Sequence, residues 1–182
     1  MNLPNKLSLI RVFCIPIFVA LLYGNAPWCR YAAVAVFILA SLTDFLDGYL
    51  ARKHQWITDF GKFIDPLADK LLVLSAFIML TEMKQLPAWF TILILARELS
   101  VDGLRLIAMT KKQVIAAGKL GKIKTFSQMI FIVLLLLFHM SALDGWFPAI
   151  CTAWIGIITV WSGVDYFIRN RSVFSDEQHV EL

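Results

Sequence analysis

Asp44, Asp47, Asp65 and Asp69 lie within "TDFLDGYLARKHQWITDFGKFIDPLADK", Thr43 to Lys70, between two strongly apolar segments. This stretch carries five of the thirteen acidic residues of the chain. Asp44, Asp47 and Ala51 are spaced i, i+3, i+7, which puts them on one face of a helix with Gly48 beside them. Gly61, Asp65 and Asp69 are spaced i, i+4, i+8 and share a face if their helix starts that early. Alternatively, Pro66 takes the first helical position with Asp65 as its N-cap. Either geometry keeps Asp65 and Asp69 close, and the short polar connection makes the two helices antiparallel neighbours. Four carboxylates then converge at one level.

Four uncompensated negative charges in a low-dielectric pocket repel one another, and some are driven to protonate. One or two bound divalent cations remove that difficulty. Neither His nor Cys joins the group, so the ligand set favours Mg²⁺ or Mn²⁺ over zinc. Such ions bridge substrate phosphates, and a pair can hold the attacking and leaving oxygens of a displacement. Gly48, Ala51 and Gly61 remove bulk from the same faces, which permits close helix approach or entry of a flat group. Arg52 can hold a phosphate or a carboxylate bidentately. The chemistry indicated is phosphoryl transfer.

The elements that position these residues are apolar helices. The chain has 182 residues, 59% hydrophobic and 16% charged, with mean hydropathy +0.73. Soluble domains run nearer half apolar and a quarter charged. The excess is gathered into six blocks: Leu7–Tyr23, Tyr31–Leu50, Leu67–Leu80, Pro87–Met109, Phe126–Leu143 and Phe147–Ile168. An all-α membrane protein with six transmembrane helices is expected, forming one domain over residues 1–182. Lys and Arg alternate between heavy and light connections, with both termini and the two long polar loops on the heavy side. The termini are therefore expected in the cytoplasm. Blocks two to four each turn polar towards that side, at Asp44 and Asp47, at Asp65, Asp69 and Lys70, and at Arg97, Glu98, Asp102 and Arg105. Charges are costly at the bilayer centre, so a hydrated cavity opening to the cytoplasm is expected. Trp28, Trp89, Trp146 and Phe147 fall at the opposite ends, as interfacial aromatic belts do. The basic residues follow this topology, so the pI near 9.1 does not indicate nucleic-acid binding.

Cys14, Cys29 and Cys151 are scattered and suit a buried hydrophobic role, without disulfide or metal. The N-terminal apolar run mimics a signal peptide, but "YGNAPWC" offers no cleavage pattern, and a retained first span is expected. Arg97 and Arg105 are eight apart and share a face of block four, while Lys122 and Lys124 open block five. Together they can form an anion site beside the carboxylates. Lys111, Lys112 and Lys119 fit topology and contacts with anionic lipid. Glu98 can neutralise Arg97 or Arg105, Asp102 and Asp165 can each pair with a nearby base, and His54 and His139 are expected to be solvated or interfacial.

Taken as a pattern, the opening stretch is D-x2-D-G-x2-A-R-x8-G-x3-D-x3-D: Asp44, Asp47, Gly48, Ala51, Arg52, Gly61, Asp65 and Asp69. It resembles the signature of the CDP-alcohol phosphotransferase family at every fixed position. A chance match is on the order of 10⁻¹⁰ per starting point at average residue usage. The resemblance extends along the whole chain through "NKLSLIRV", "ARELSVDGLR" and "GKIKTFSQM". It implies that Asp44, Asp47, Asp65 and Asp69 hold one or two Mg²⁺ or Mn²⁺ ions on the diphosphate of a CDP-linked donor, and that Asp69 takes the proton from the acceptor hydroxyl. It implies CDP contacts for Gly48, Arg52 and Thr58, with Gly61 on the approach face and Asn5 and Ser8 at the mouth of span one. The activity implied is phosphatidyl transfer from CDP-diacylglycerol in a bacterial cytoplasmic membrane, and a homodimer is compatible with it. The basic face of block four argues for a phosphorylated acceptor, and the resemblance to the glycerophosphate-using members of the family implies glycerol 3-phosphate. Inositol phosphate or serine is the alternative within the family. A divalent-cation transporter is the alternative outside it, and that would need polar groups continuing through the apolar outer halves of blocks two to four.

Overall fold

The computed structural model describes residues 3–54, 59–111, 115, 118–142 and 145–174, with side chains described at all of these except 3–8, 44–54, 59–66, 69, 119 and 174. Among the described residues the secondary structure is entirely helical. The helices are α1 (Leu3–Tyr23), α2 (Pro27–His54), α3 (Asp59–Glu82), α4 (Ala88–Thr110), α5 (Lys119–Phe138) and α6 (Trp146–Arg169), followed by a 3₁₀ turn at Arg171–Phe174. Each apolar block falls largely on its own helix, so the all-helical class follows from the block pattern. α1, α2, α3 and α6 run further into their polar flanks than the blocks do, whereas α5 ends at Phe138, short of the expected Leu143, where His139 takes a left-handed conformation. α3 begins at Asp59, which makes Pro66 an interior residue and removes the alternative in which it opens the helix. His54 is the last residue of α2 and not a loop residue.

Turn chemistry sets the ends. α3 stops where Lys84 adopts a left-handed conformation (φ 58), and the N–H groups of Gln85 and Leu86 both donate to the Leu80 carbonyl at 2.9 and 3.2 Å. Pro87 precedes the first residue of α4 with extended backbone. Gly145 (φ 105) precedes α6 in a conformation that disfavours a side chain.

α1 packs most extensively against α2 and α3, while α5 and α6 form a second close pair that α4 joins through α6. Contacts of α5 with α2 and α3 tie the two groups together. The core is a set of interleaved phenylalanines. Phe18 meets Phe37 at 5.7 Å between ring centroids, Phe90 meets Phe77 at 6.4 Å, and Phe90 meets Phe131 at 6.2 Å. Leu72, Leu80, Ile94, Ile132, Leu135 and Leu136 fill the spaces between the rings, each essentially inaccessible. The perimeter is apolar as well: Phe13, Ile92, Leu99, Leu106, Ile157 and Trp161 are all more than 60% exposed. An outer surface this apolar calls for a non-aqueous neighbour. Leu120–Phe138 and Trp146–Arg169 are long and apolar enough to cross a membrane, and Leu9–Tyr23 and Pro27–Thr43 are shorter apolar helices.

Hydrogen bonds define two poles. At one, Tyr23 at the end of α1 donates to Glu82 at the end of α3 (2.8 Å), and the Ala142 N–H donates to the Gln85 carbonyl (2.7 Å). At the other, Lys111 after α4 donates to the Val173 carbonyl beyond α6 (2.8 Å). Successive helices therefore run in opposite directions. The second half of α2 and the first half of α3 meet at the second pole.

The turn between α1 and α2 leaves no space for a side chain at Gly24. A Cβ there would stand 2.6 Å from Cys29 Sγ and 2.9 Å from Cys29 Cβ. Gly24→Ala is expected to lower stability by about 1–3 kcal/mol, with only the part owed to the Sγ contact recovered in Gly24→Ala/Cys29→Ala, because the Cβ of residue 29 remains. Thermal unfolding in detergent micelles measures both; equal stability of Gly24→Ala and the parent chain would contradict this packing.

Candidate active site

The signature residues occupy the second pole. Asp44, Asp47, Gly48, Ala51 and Arg52 belong to α2, and Gly61, Asp65 and Asp69 to α3. Because α3 is helical from Asp59, Gly61, Asp65 and Asp69 share one helical face, as one of the two sequence alternatives required. Asn5 and Ser8 lie on the first turns of α1. The side chains of all these residues lie outside the described set, and Thr58 lies outside the described residues altogether. As a donor set, four carboxylates on two helices, without His or Cys, fit a hard divalent cation.

Beside them stands a described cluster of charges. It begins at Lys70, the residue after Asp69, whose ammonium pairs with Asp102 of α4. One turn back on α4, Glu98 is buried, and its Oε1 accepts from two cations: Lys124 of α5 and Arg97 Nη1, the latter at 3.2 Å. Arg97 Nη2 continues to Ser162 Oγ on α6 at 3.2 Å, and Ser162 donates to the Thr159 carbonyl at 3.1 Å. One connected array thus links α4, α5 and α6, and the Lys70–Asp102 pair joins α3 to α4. Lys124 is only 2% exposed, so without Glu98 its charge would be buried and uncompensated.

Glycines make room for the array. A Cβ at Gly163 would approach Arg97 Cγ to 3.3 Å, and one at Gly121 would come within 3.8 Å of Arg97 Nη2. The guanidinium therefore passes between α5 and α6 at two positions without side chains. Small residues at helix interfaces permit such close approaches.

The four cations expected to hold an acceptor phosphate separate into three situations. Arg97 and Lys124 come together on Glu98. Arg105, two turns along α4, is half-buried, and its Nε is buried without a partner among the described residues. Lys122 is exposed, on a different face of α5 from Lys124. Among the described side chains, Lys70, Arg97 and Lys124 face Glu98 and Asp102, which leaves one positive charge in surplus in this set before Arg105 is added. Glu98 compensates Arg97, as one sequence alternative held, but its other partner is Lys124 and not Arg105. Asp102 and Asp165 both find bases, Lys70 and Arg169. His139 caps α5 at the opposite pole, where burial and then the nearby Arg30 cation lower its pKa.

Sequence reasoning missed Arg11. It counts as a topology determinant by position, yet it is 1% exposed, and its Nε donates to the Ala40 carbonyl at 3.2 Å, one helical turn before Asp44. A basic residue inside an apolar block was the available signal. Gln128 was also missed. It is fully buried on α5 and lines a cavity of about 70 Å³ with Lys70, Glu98, Lys124 and Thr125. A much larger groove of about 680 Å³ runs between α4 and α6, but Trp89, Phe90, Gly156, Trp161 and other almost wholly apolar groups line it. It offers no chemistry.

Comparison with known proteins gives the family. The family model for CDP-alcohol phosphatidyltransferase matches residues 1–162. A CDP-diacylglycerol–glycerol-3-phosphate 3-phosphatidyltransferase of Bacillus subtilis is 44% identical, over 93% of this chain and 95% of its own length. A protein of Mycobacterium tuberculosis named probable phosphatidylglycerophosphate synthase is 43% identical over 92% of this chain and 81% of its own. A Shigella flexneri protein with the same name as the Bacillus one is 34% identical over 97% and 98%. With the family model spanning most of its length and the signature intact on α2 and α3, the chain belongs to the CDP-alcohol phosphatidyltransferase family.

Proposed function

We propose that the chain transfers the phosphatidyl group of CDP-diacylglycerol to glycerol 3-phosphate, releasing CMP, as a step of phospholipid biosynthesis. The observation that carries this assignment is the adjacency, on α3, of Asp65 and Asp69 to Lys70, which opens a cluster with surplus positive charge among the described side chains. A donor diphosphate needs the first, and a phosphorylated acceptor needs the second. The names of the relatives support the same pair of substrates.

Asp44, Asp47, Asp65 and Asp69 would hold one or two Mg²⁺ or Mn²⁺ ions, which when bound neutralise the donor diphosphate and the charge growing on the departing phosphate. Gly48, Arg52, Thr58 and Gly61, with Asn5 and Ser8, seat the CDP group. The acceptor hydroxyl oxygen bonds to the phosphorus that bears diacylglycerol. The bond from that phosphorus to the bridging oxygen breaks, and the oxygen leaves with CMP. Asp69 receives the hydroxyl proton; a base in hydrogen-bond reach contributes a factor of about 10²–10⁴. Arg97, Arg105 and Lys124 attract and orient the acceptor phosphate, with the planar arginine forks suited to a bidentate hold, while Lys122, exposed on another face of α5, is left out of this set.

The setting proposed is a bacterial cytoplasmic membrane, crossed six times, with both termini and the site on the cytoplasmic side. The alternation of Lys and Arg supports this topology, as do Trp28, Trp89 and Trp146, exposed at the ends of α2, α4 and α6 away from the aspartates. A homodimer remains compatible with this setting.

Purified protein supplied with CDP-diacylglycerol should release CMP with glycerol 3-phosphate and not with inositol phosphate or serine; preference for either of those would replace the acceptor. Asp65→Asn should abolish product while the protein still inserts into the membrane. Arg97→Ala and Arg105→Ala should each raise the acceptor KM by roughly 10-fold or more, the size of one lost charge-assisted contact, with the donor KM unchanged. An unchanged acceptor KM would remove the arginines from the site.

A further inference from the structure

Gln128 is inaccessible to solvent, yet its amide is only half satisfied. Nε2 donates to Thr159 Oγ1 on α6 at 3.4 Å, and Oε1 has no donor among the described residues. A buried carbonyl oxygen without a donor is costly, and native interiors rarely tolerate one. The residue lines the cavity of about 70 Å³ that it shares with Lys70, Val73, Leu74, Glu98, Lys124 and Thr125. That space exceeds what a single water occupies, roughly 30 Å³. Its α3 wall, Lys70, Val73 and Leu74, is the turn that follows Asp69. Its rim carries Lys124 and Glu98, the centre of the cationic array. Water meets the need for a small polar donor in the resting protein, and a substrate that displaces it must bring a hydrogen-bond donor of its own on a group that the cations attract. Phosphate oxygens at neutral pH do not supply that donor; an alcohol does.

We infer that Gln128 determines acceptor specificity, its Oε1 receiving a hydrogen bond from the hydroxyl of glycerol 3-phosphate that does not react. The inference rests on the proposed acceptor. Glycerol 3-phosphate has a hydroxyl at C1 that attacks phosphorus and a second at C2 that takes no part in bond making. With the phosphate on the cationic array and the C1 oxygen near Asp69, the C2 hydroxyl is the group left to enter the polar cavity. The bond from Nε2 to Thr159 Oγ1 ties the amide to α6 and, in this orientation, leaves Oε1 as the atom without a donor. A site built to pair with a hydroxyl rejects an analogue without it, because the buried acceptor is again left alone.

The test compares two acceptors, glycerol 3-phosphate and 3-hydroxypropyl phosphate, which keeps the attacking hydroxyl and the phosphate and lacks only the C2 hydroxyl. The unmodified protein should favour glycerol 3-phosphate in kcat/KM by at least about 10²-fold, within the range that an unpaired buried polar group produces. Gln128→Met, close in volume, should bring the two acceptors within about 3-fold of each other, chiefly by losing activity on glycerol 3-phosphate. If that variant does not fold, Thr159→Val, which releases the amide, should lower the preference at least about 3-fold. No preference in the unmodified protein, or the same preference in a folded Gln128→Met, overturns the inference and leaves the cavity to ordered water. A protein inactive with glycerol 3-phosphate but active with another alcohol instead overturns the proposed acceptor.

Discussion

An apolar bundle can hold ionised groups only where they neutralise one another or meet a charged ligand, and that constraint organises this molecule. Between the poles the interior is phenylalanine, leucine and isoleucine, with the rings of Phe18, Phe37, Phe77, Phe90 and Phe131 at its centre. The buried cations sit beyond this plug, on the side of the signature aspartates. There Lys124 and Arg97 lean on a single carboxylate, Glu98, and Arg11 is held against the end of an apolar turn of α2. Breaking such an array by removing one member leaves an uncompensated charge in a low-dielectric interior. The array is therefore rigid for the same reason that it is costly.

The same constraint divides the labour of catalysis. Carboxylates gathered on α2 and α3 call for metal cations, and cations gathered on α4 and α5 call for an anion. A reaction between a diphosphate donor and a phosphorylated acceptor supplies both. The plug also bears on the transporter alternative, since ions crossing the bundle would need polar groups to continue past Phe77 and Phe90. The described residues beside those rings include Thr81 and Thr91, hydrogen-bonded to each other at 2.6 Å. These two hydroxyls satisfy one another and do not form a path.

Much of this was legible in the sequence because it is encoded locally. Apolar blocks give helices, the i, i+3 and i, i+4 spacings give shared faces, and the signature lies within a single short stretch. The partner choices were not legible. Arg97 and Arg105 share a face by spacing, yet Gly163 and Ser162 on α6, far along the chain, draw only Arg97 into the array. Lys122 and Lys124 look equivalent in sequence, but α5 exposes one and buries the other. The position of Pro66 inside α3 was one of two alternatives, because a proline can open a helix or be accommodated within it. Gln128 carried no signal at all, since an amide in an apolar run acquires meaning only from the cavity around it.

Binding of Mn²⁺ to the purified protein, followed by electron paramagnetic resonance without substrate, tests the central claim that α2 and α3 jointly hold divalent ions. Saturable binding by the unmodified chain should be lost to a similar degree in Asp44→Asn, which alters α2, and in Asp65→Asn, which alters α3. Full binding by either folded variant would mean that the two helices do not share the ion, and the account of the site would fail.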